Sequence, residues 1–131
     1  MEAPSILTIE TEKPEDNLNF DVTDSFQLDN EYILKISFNE EIIFYEIEEK
    51  DKFPKQHYNI FLNLEELSKI NRYFYQFETI KEVFVSFKKL ISSKNVSVAK
   101  EEKYIKLKIK NPINEKEFFI NIPLKEKDLK S

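Results

Sequence analysis

Not one glycine occurs in the 131 residues. Average usage of about 7% would supply about nine. Glycine is the residue that lets backbone approach a phosphate or turn through a left-handed conformation at low cost. Its absence argues against the common nucleotide-binding and hydrolase scaffolds: the phosphate-cradling P-loop, the dinucleotide-binding turn and the nucleophile elbow all need it at fixed positions. Left-handed backbone must then fall to Asn or Asp. Asn30, Asn39, Asn95, Asn111 and Asn114 stand at turn-like places and are the candidates.

The hydrophobic pattern supplies the architecture. Residues 62–95 carry a helical period on both sides of a break. Leu64, Leu67, Ile70, Phe74 and Phe77 recur at steps of three and four, as do Ile80, Phe84, Phe87 and Ile91. Asn63 with Glu66 and Thr79 with Glu82 make two capping boxes, and Leu62 with Leu67 makes a hydrophobic staple. Two caps sixteen residues apart predict two helices with a break near residues 76–78. The expected buried face is Leu67, Ile70, Phe74, Ile80, Phe84, Phe87 and Ile91. Asn95 is expected to end the second helix at the C′ position.

On both sides of the helices the period becomes two. Leu7 and Ile9 suggest a first strand over residues 5–10, and Leu18, Phe20 and Val22 a short edge strand. Tyr32, Leu34, Ile36 and Phe38 share one face of a half-buried strand, and Ile43, Tyr45 and Ile47 one face of the next. Asn39 and Glu40 are expected to turn between them. Tyr58, Ile60 and Leu62 form a strand that feeds the first helix. After the helices come Val96 and Val98, then Ile105, Leu107 and Ile109, then Phe118, Ile120, Ile122 and Leu124. Pro123 marks an edge or an end. Residues 110–116 read as a hairpin loop. The fold class is α+β, mainly β: a small antiparallel β-barrel or sandwich with an inserted helix-turn-helix.

With 40% hydrophobic and 34% charged residues the chain is globular and long enough for one domain with a real core. It has no Cys, which excludes disulfides, thiolate metal sites and thiol catalysis. No apolar run can span a bilayer. The first ten residues show no basic region before an apolar block, so no signal peptide is expected. His57, the only histidine, stands at a strand start with no nucleophile placed beside it. No catalytic, cofactor or metal residue stands out, and no enzyme is expected. The charge is divided: residues 1–80 carry a net −11 and residues 81–131 a net +6. The simplest account is that the halves neutralise each other. Lys106, Lys108 and Lys110 then make a solvated face that protects a sheet from edge-to-edge pairing, and no nucleic-acid binding is expected because the basic half has no Arg. The twelve Phe and six Tyr, beside two Ala, fit an A/T-rich genome better than a base-stacking platform.

Three segments carry a family resemblance: IFYEIEEKDKFPKQHYNIFLNLEELSKI (43–70), YQFETIKEVFVSFKKLI (75–91) and KNPINEKEFFINIPL (110–124). Together they resemble the head domain of the centriolar cartwheel protein family and the related heads of end-joining DNA-repair scaffolds. In that family a β-sandwich holds a helix-turn-helix before its last strands, and a coiled coil follows. The most specific match is Asn111-Pro112 followed by the apolar Ile113, on a hairpin that carries such a residue in cartwheel heads. The loop over residues 48–56 is longer than in the family, and the N-terminal strands match only in pattern.

The resemblance implies a head over residues 1–124 and the start of a C-terminal coiled-coil stalk over residues 125–131. It implies a structural self-assembly module: heads pair weakly through the hairpin, with Asn111, Pro112, Ile113 and Asn114 at the head–head interface, and so build the cartwheel of centrioles or basal bodies. Partners would be further copies of the chain and other centriolar proteins, with no membrane, no nucleic acid and no cofactor. The location would be cytoplasmic, on the cytoskeleton. The alternative is a protein-interaction head of an end-joining or other coiled-coil scaffold. The residues alone support one point of this. Ile113 lies between Pro112 and Asn114 in a polar loop where nothing local can bury it.

Overall fold

The computed structural model describes residues 19–51 and 56–125. Four strands, β1 (Val22–Leu28), β2 (Tyr32–Phe38), β3 (Ile43–Glu49) and β4 (His57–Leu62), form one antiparallel sheet in sequence order. Then come α1 (Leu64–Ile70), a 3₁₀ turn (Arg72–Gln76) and α2 (Ile80–Ser92). Three strands, β5 (Val96–Lys100), β6 (Tyr104–Lys110) and β7 (Glu117–Pro123), form a second antiparallel sheet with β6 in the middle. The class is α+β, mainly β, and the barrel is not closed. The strand suggested over residues 5–10, and most of the coiled-coil start over 125–131, lie outside the described residues.

The strand period decides which side chains meet. In register, Leu34 faces Ile47, Ile36 faces Tyr45, and Ile43 faces Leu62, all on the inner face. Ile105, Leu107 and Ile109 meet Ile122, Ile120 and Phe118 on the inner face of the second sheet. Every one of these is buried. Helix α2 lies across the first sheet. The Phe84 ring is 4.6 Å from Phe38, and Phe87 is 5.2 Å from Tyr45. Burying such a ring contributes roughly 1.5–3 kcal/mol. The two sheets touch along both seams. Tyr58 bridges Leu124, and the Lys125 N–H donates to the His57 carbonyl at 2.7 Å. On the other seam the Val98 N–H donates to Asp29 Oδ2 at 3.3 Å, and Lys100 Nζ lies 3.0 Å from Glu49 Oε1.

Both capping boxes are present at Asn63/Glu66 and Thr79/Glu82. Leu62 and Leu67, the two residues of the staple, are both buried. The helical segment nevertheless differs from expectation. Helix α1 stops at Ile70, well before residues 76–78, because Asn71 adopts extended backbone (φ −161°, ψ 148°) and caps the following 3₁₀ turn. Its side-chain oxygen accepts the Tyr73 N–H at 2.8 Å. That competition between side chain and helix is characteristic of Asn. The break turns Tyr73 and Phe74 onto β7, with each ring 5.5 Å from Phe118. Leu67, Phe74, Ile80, Phe84 and Phe87 are buried as expected, Ile70 and Ile91 only partly, and Val83 and Leu90 join the core.

Two further expectations are corrected. Of the edge strand expected from Leu18, Phe20 and Val22, Leu18 lies outside the described residues, residues 19–21 are not strand, and β1 begins at Val22. Phe20 stacks at 5.7 Å on Phe44, on the outer face of the first sheet. Strand β1, VTDSFQL, is polar on an edge and has weak apolar alternation, which is why its period is faint. The left-handed positions are Asp29, Asn30, Lys94 and Glu115 among the described residues. Asp29 and Asn30 make the paired positive-φ turn of a tight hairpin. Asn39, Asn111 and Asn114 instead use their side-chain oxygens to accept loop N–H groups, which leaves their backbones in ordinary regions. At the end of α2, Lys94 is the C′ residue in place of Asn95. Its N–H donates to Ile91 and that of Asn95 to Leu90, the two bonds of a Schellman motif.

Candidate self-association site

The loop joining β6 to β7 is organised by Asn111. Its N–H donates to the Lys116 carbonyl at 2.8 Å, its carbonyl accepts from the Glu115 N–H at 2.7 Å, and its side-chain oxygen accepts from the Ile113 N–H at 2.9 Å. Asn114 Oδ1 accepts the Lys116 N–H at 2.9 Å. Pro112 fixes its own φ, and Glu115 takes φ 62° to complete the turn. A loop tied at this many points is stiff. Ile113 projects from it with 84% of its surface exposed, more than any other large apolar side chain among the described residues.

Beside the hairpin runs an open cleft of about 660 Å³. One wall is the 3₁₀ turn with its cap Asn71, and the other is the base of the hairpin, including Asn111, Asn114 and Phe118. Tyr73, Tyr75 and Phe118 give it aromatic surface, and Arg72, Lys116 and Glu117 give it charge. Arg72 is the single arginine of the chain. Tyr75 is two-thirds exposed, at 67%. Tyr73 is held from behind by a short hydrogen bond between its hydroxyl and Ser86 on α2. The wall is therefore anchored to the core while its outward edge is open.

The four residues expected at the interface, Asn111, Pro112, Ile113 and Asn114, lie together in this loop. Asn111 is half-buried and acts as its brace, and the other three are exposed. The cleft wall of Arg72, Tyr73 and Tyr75 was not foreseen. The signal for it was the Asn71 break, which separates these residues from the helical stripe.

Elsewhere the chemistry is sparse. His57 is exposed, with Nδ1 3.3 Å from Glu48 Oε1. Among the described residues no group of three His, Asp or Glu could hold a metal ion, and no helix is long and apolar enough to cross a membrane. Burial raises the Tyr45 hydroxyl well above its ordinary pKa, and that hydroxyl has no hydrogen-bond partner among the described residues. Burial also raises Tyr32 and Tyr58, which lie near Glu49 and Lys100. Comparison with protein families, with curated proteins and with solved structures found no match to the chain.

Proposed function

We propose that this chain is a structural head that associates weakly with copies of itself through the residue 110–116 hairpin. The observation that carries the reading is Ile113, an apolar side chain 84% exposed on a braced loop beside an open aromatic-walled cleft. A two-fold pairing lets each hairpin enter the other copy's cleft, since one patch holds both the projection and the recess. Burying an isoleucine side chain contributes about 1.5–3 kcal/mol. Against the entropic cost of association, one such anchor gives a dissociation constant on the order of tens to hundreds of micromolar. A stalk that pairs the same chains elsewhere raises the effective concentration, and two separate homotypic contacts build rings or filaments. The resemblance of residues 43–124 to cartwheel heads supports extending this reading to the cartwheel of centrioles or basal bodies.

Sedimentation equilibrium on wild type and Ile113→Glu, with circular dichroism on both, tests the reading. The expected result is weak association by the wild type and none by the variant, with both folded, because a buried unpaired carboxylate is strongly disfavoured. Equal behaviour of the two proteins removes the hairpin contact. The chain is then a protein-interaction head of the end-joining or another scaffold kind.

A further inference from the structure

The lysines of β6 have no edge to protect. Charged residues on an edge strand prevent pairing with another sheet, but β6 is the central strand of its sheet, hydrogen-bonded on both sides. Lys106, Lys108 and Lys110 all lie on its outer face, alternating with the buried Ile105, Leu107 and Ile109. Alternate residues of a strand stand about 7 Å apart, close enough for like charges to repel. The neighbouring strands offer little compensation. Ala99 and Asn121 flank Lys106, Ser97 and Phe119 flank Lys108, and only Lys110 faces an acidic residue, Glu117. None of the three lysines joins an ion pair among the described residues. Among the described residues, Lys88 pairs with Asp24 and Lys100 with Glu49 across the two halves, and both lysines lie on other elements. The neutralisation expected from the sequence does not reach this face.

An apolar feature lies within the row. Phe119 is 41% exposed on the same face, and Lys106 Nζ lies 4.8 Å from its ring centre. On the β5 side the bordering residues are the small Ser97 and Ala99. The face is thus an open lane with a row of evenly spaced cations and one exposed ring. We infer that this outer face of the second sheet is a docking surface for an acidic, extended polypeptide segment. Its carboxylates, at every second residue, have the lysine spacing, and an apolar side chain of the segment packs on Phe119. A peptide fits better than a nucleic acid. The chain as a whole carries −5, and no arginine stands among residues 81–131 to grip phosphate in two-pronged fashion.

The test is a fluorescence anisotropy titration of the full chain at low ionic strength. The probe is a short fluorescein-labelled peptide alternating Glu with Val and Phe, beside the same peptide with Gln for every Glu and a labelled oligothymidylate. The expected result is binding of the Glu peptide that weakens about tenfold in Lys106→Gln/Lys108→Gln. Binding should persist in Lys106→Arg/Lys108→Arg, which keeps the charge and so separates a lost surface from a lost fold. It should also persist in Ile113→Glu, since the surface is separate from the hairpin tip. Equal binding of the Gln peptide, no loss in the double Gln variant, or tighter binding of oligothymidylate than of the Glu peptide each overturns the proposal.

Discussion

The side-chain oxygen of Asn111 accepts the backbone N–H of Ile113 at 2.9 Å, two residues along the chain. This bond sets the direction in which the isoleucine leaves the loop. Its loss would leave the strand ladder intact but free the tip to sample other orientations, and ordering it again would cost affinity. Asn111→Ala is therefore expected to weaken self-association about three- to tenfold, corresponding to a bond of about 1 kcal/mol. Sedimentation equilibrium reads the affinity, and circular dichroism should show an unchanged fold. An unaltered affinity would mean that the backbone bonds of Asn111 alone brace the tip.

Asn71 and Thr79 perform the same local task in different places. Asn71 caps the 3₁₀ turn that walls the cleft, and Thr79 caps α2 by accepting the Glu82 N–H at 3.2 Å. Loss of a cap typically costs about 1 kcal/mol. Asn71→Ala and Thr79→Ala should each lower stability to urea by about that amount. Only Asn71→Ala should also weaken self-association, because only it releases the Arg72–Gln76 turn. Parallel urea titrations and sedimentation runs make the comparison. If both variants associate like wild type, the 3₁₀ wall does not take part in the contact.

Much of this architecture was legible because burial and period coincide. Tyr32, Leu34, Ile36 and Phe38 alternate in the sequence and all are buried in the fold. The capping boxes were legible because Asn and Thr at those spacings have one low-energy use. Strand β1 was not, since Thr23, Ser25 and Gln27 face solvent on an edge and Asp24 on the other face reaches Lys88 instead of the core. The split of the first helix was hidden because Phe74 and Phe77 keep the helical spacing by coincidence, while a polar side chain at Asn71 decides the backbone. The hairpin tip was visible as an unburied Ile113. Its facing cleft was not, because it is made by two segments about forty residues apart that only the β7 contacts of Tyr73 and Phe74 bring together.

In a chain without glycine, the left-handed end of α2 falls on Lys94, at φ 63°. A residue with a Cβ pays roughly 1 kcal/mol or more for that conformation, and glycine almost none. The Lys94 N–H and the Asn95 N–H already close the Schellman bonds at 3.0 and 2.8 Å, so the geometry would not need to change. Lys94→Gly should raise stability by about 0.5–1 kcal/mol, the relief being partly offset by a more flexible unfolded chain. A urea titration with an unchanged m-value checks it. A loss of stability would show that the lysine stem contributes more packing than its backbone costs.

The hydroxyl of Tyr45 is fully buried, against Phe87 and near Tyr73, with no hydrogen-bond partner among the described residues. An unpaired buried hydroxyl costs about 1–3 kcal/mol relative to its hydrated state. Tyr45→Phe removes only that group, keeps the ring, and should raise stability by about 1 kcal/mol at neutral pH. The alkaline behaviour gives a second measurement. Burial, with a smaller effect from Tyr73, raises the folded pKa well above the ordinary 10.0, so the folded state favours the neutral phenol. The stability from this group is complete below the unfolded value of about 10 and is lost as the pH rises through that value toward the folded one. Tyr32 and Tyr58, both also raised by burial, act in the same direction. Wild type should therefore lose stability above about pH 10, and Tyr45→Phe should lose less over the same range. Urea midpoints measured at neutral pH and across the alkaline range, for both proteins, decide it. A variant that is less stable at neutral pH would mean that the hydroxyl has a partner such as an internal water, and parallel alkaline curves would remove Tyr45 as a source of the pH dependence.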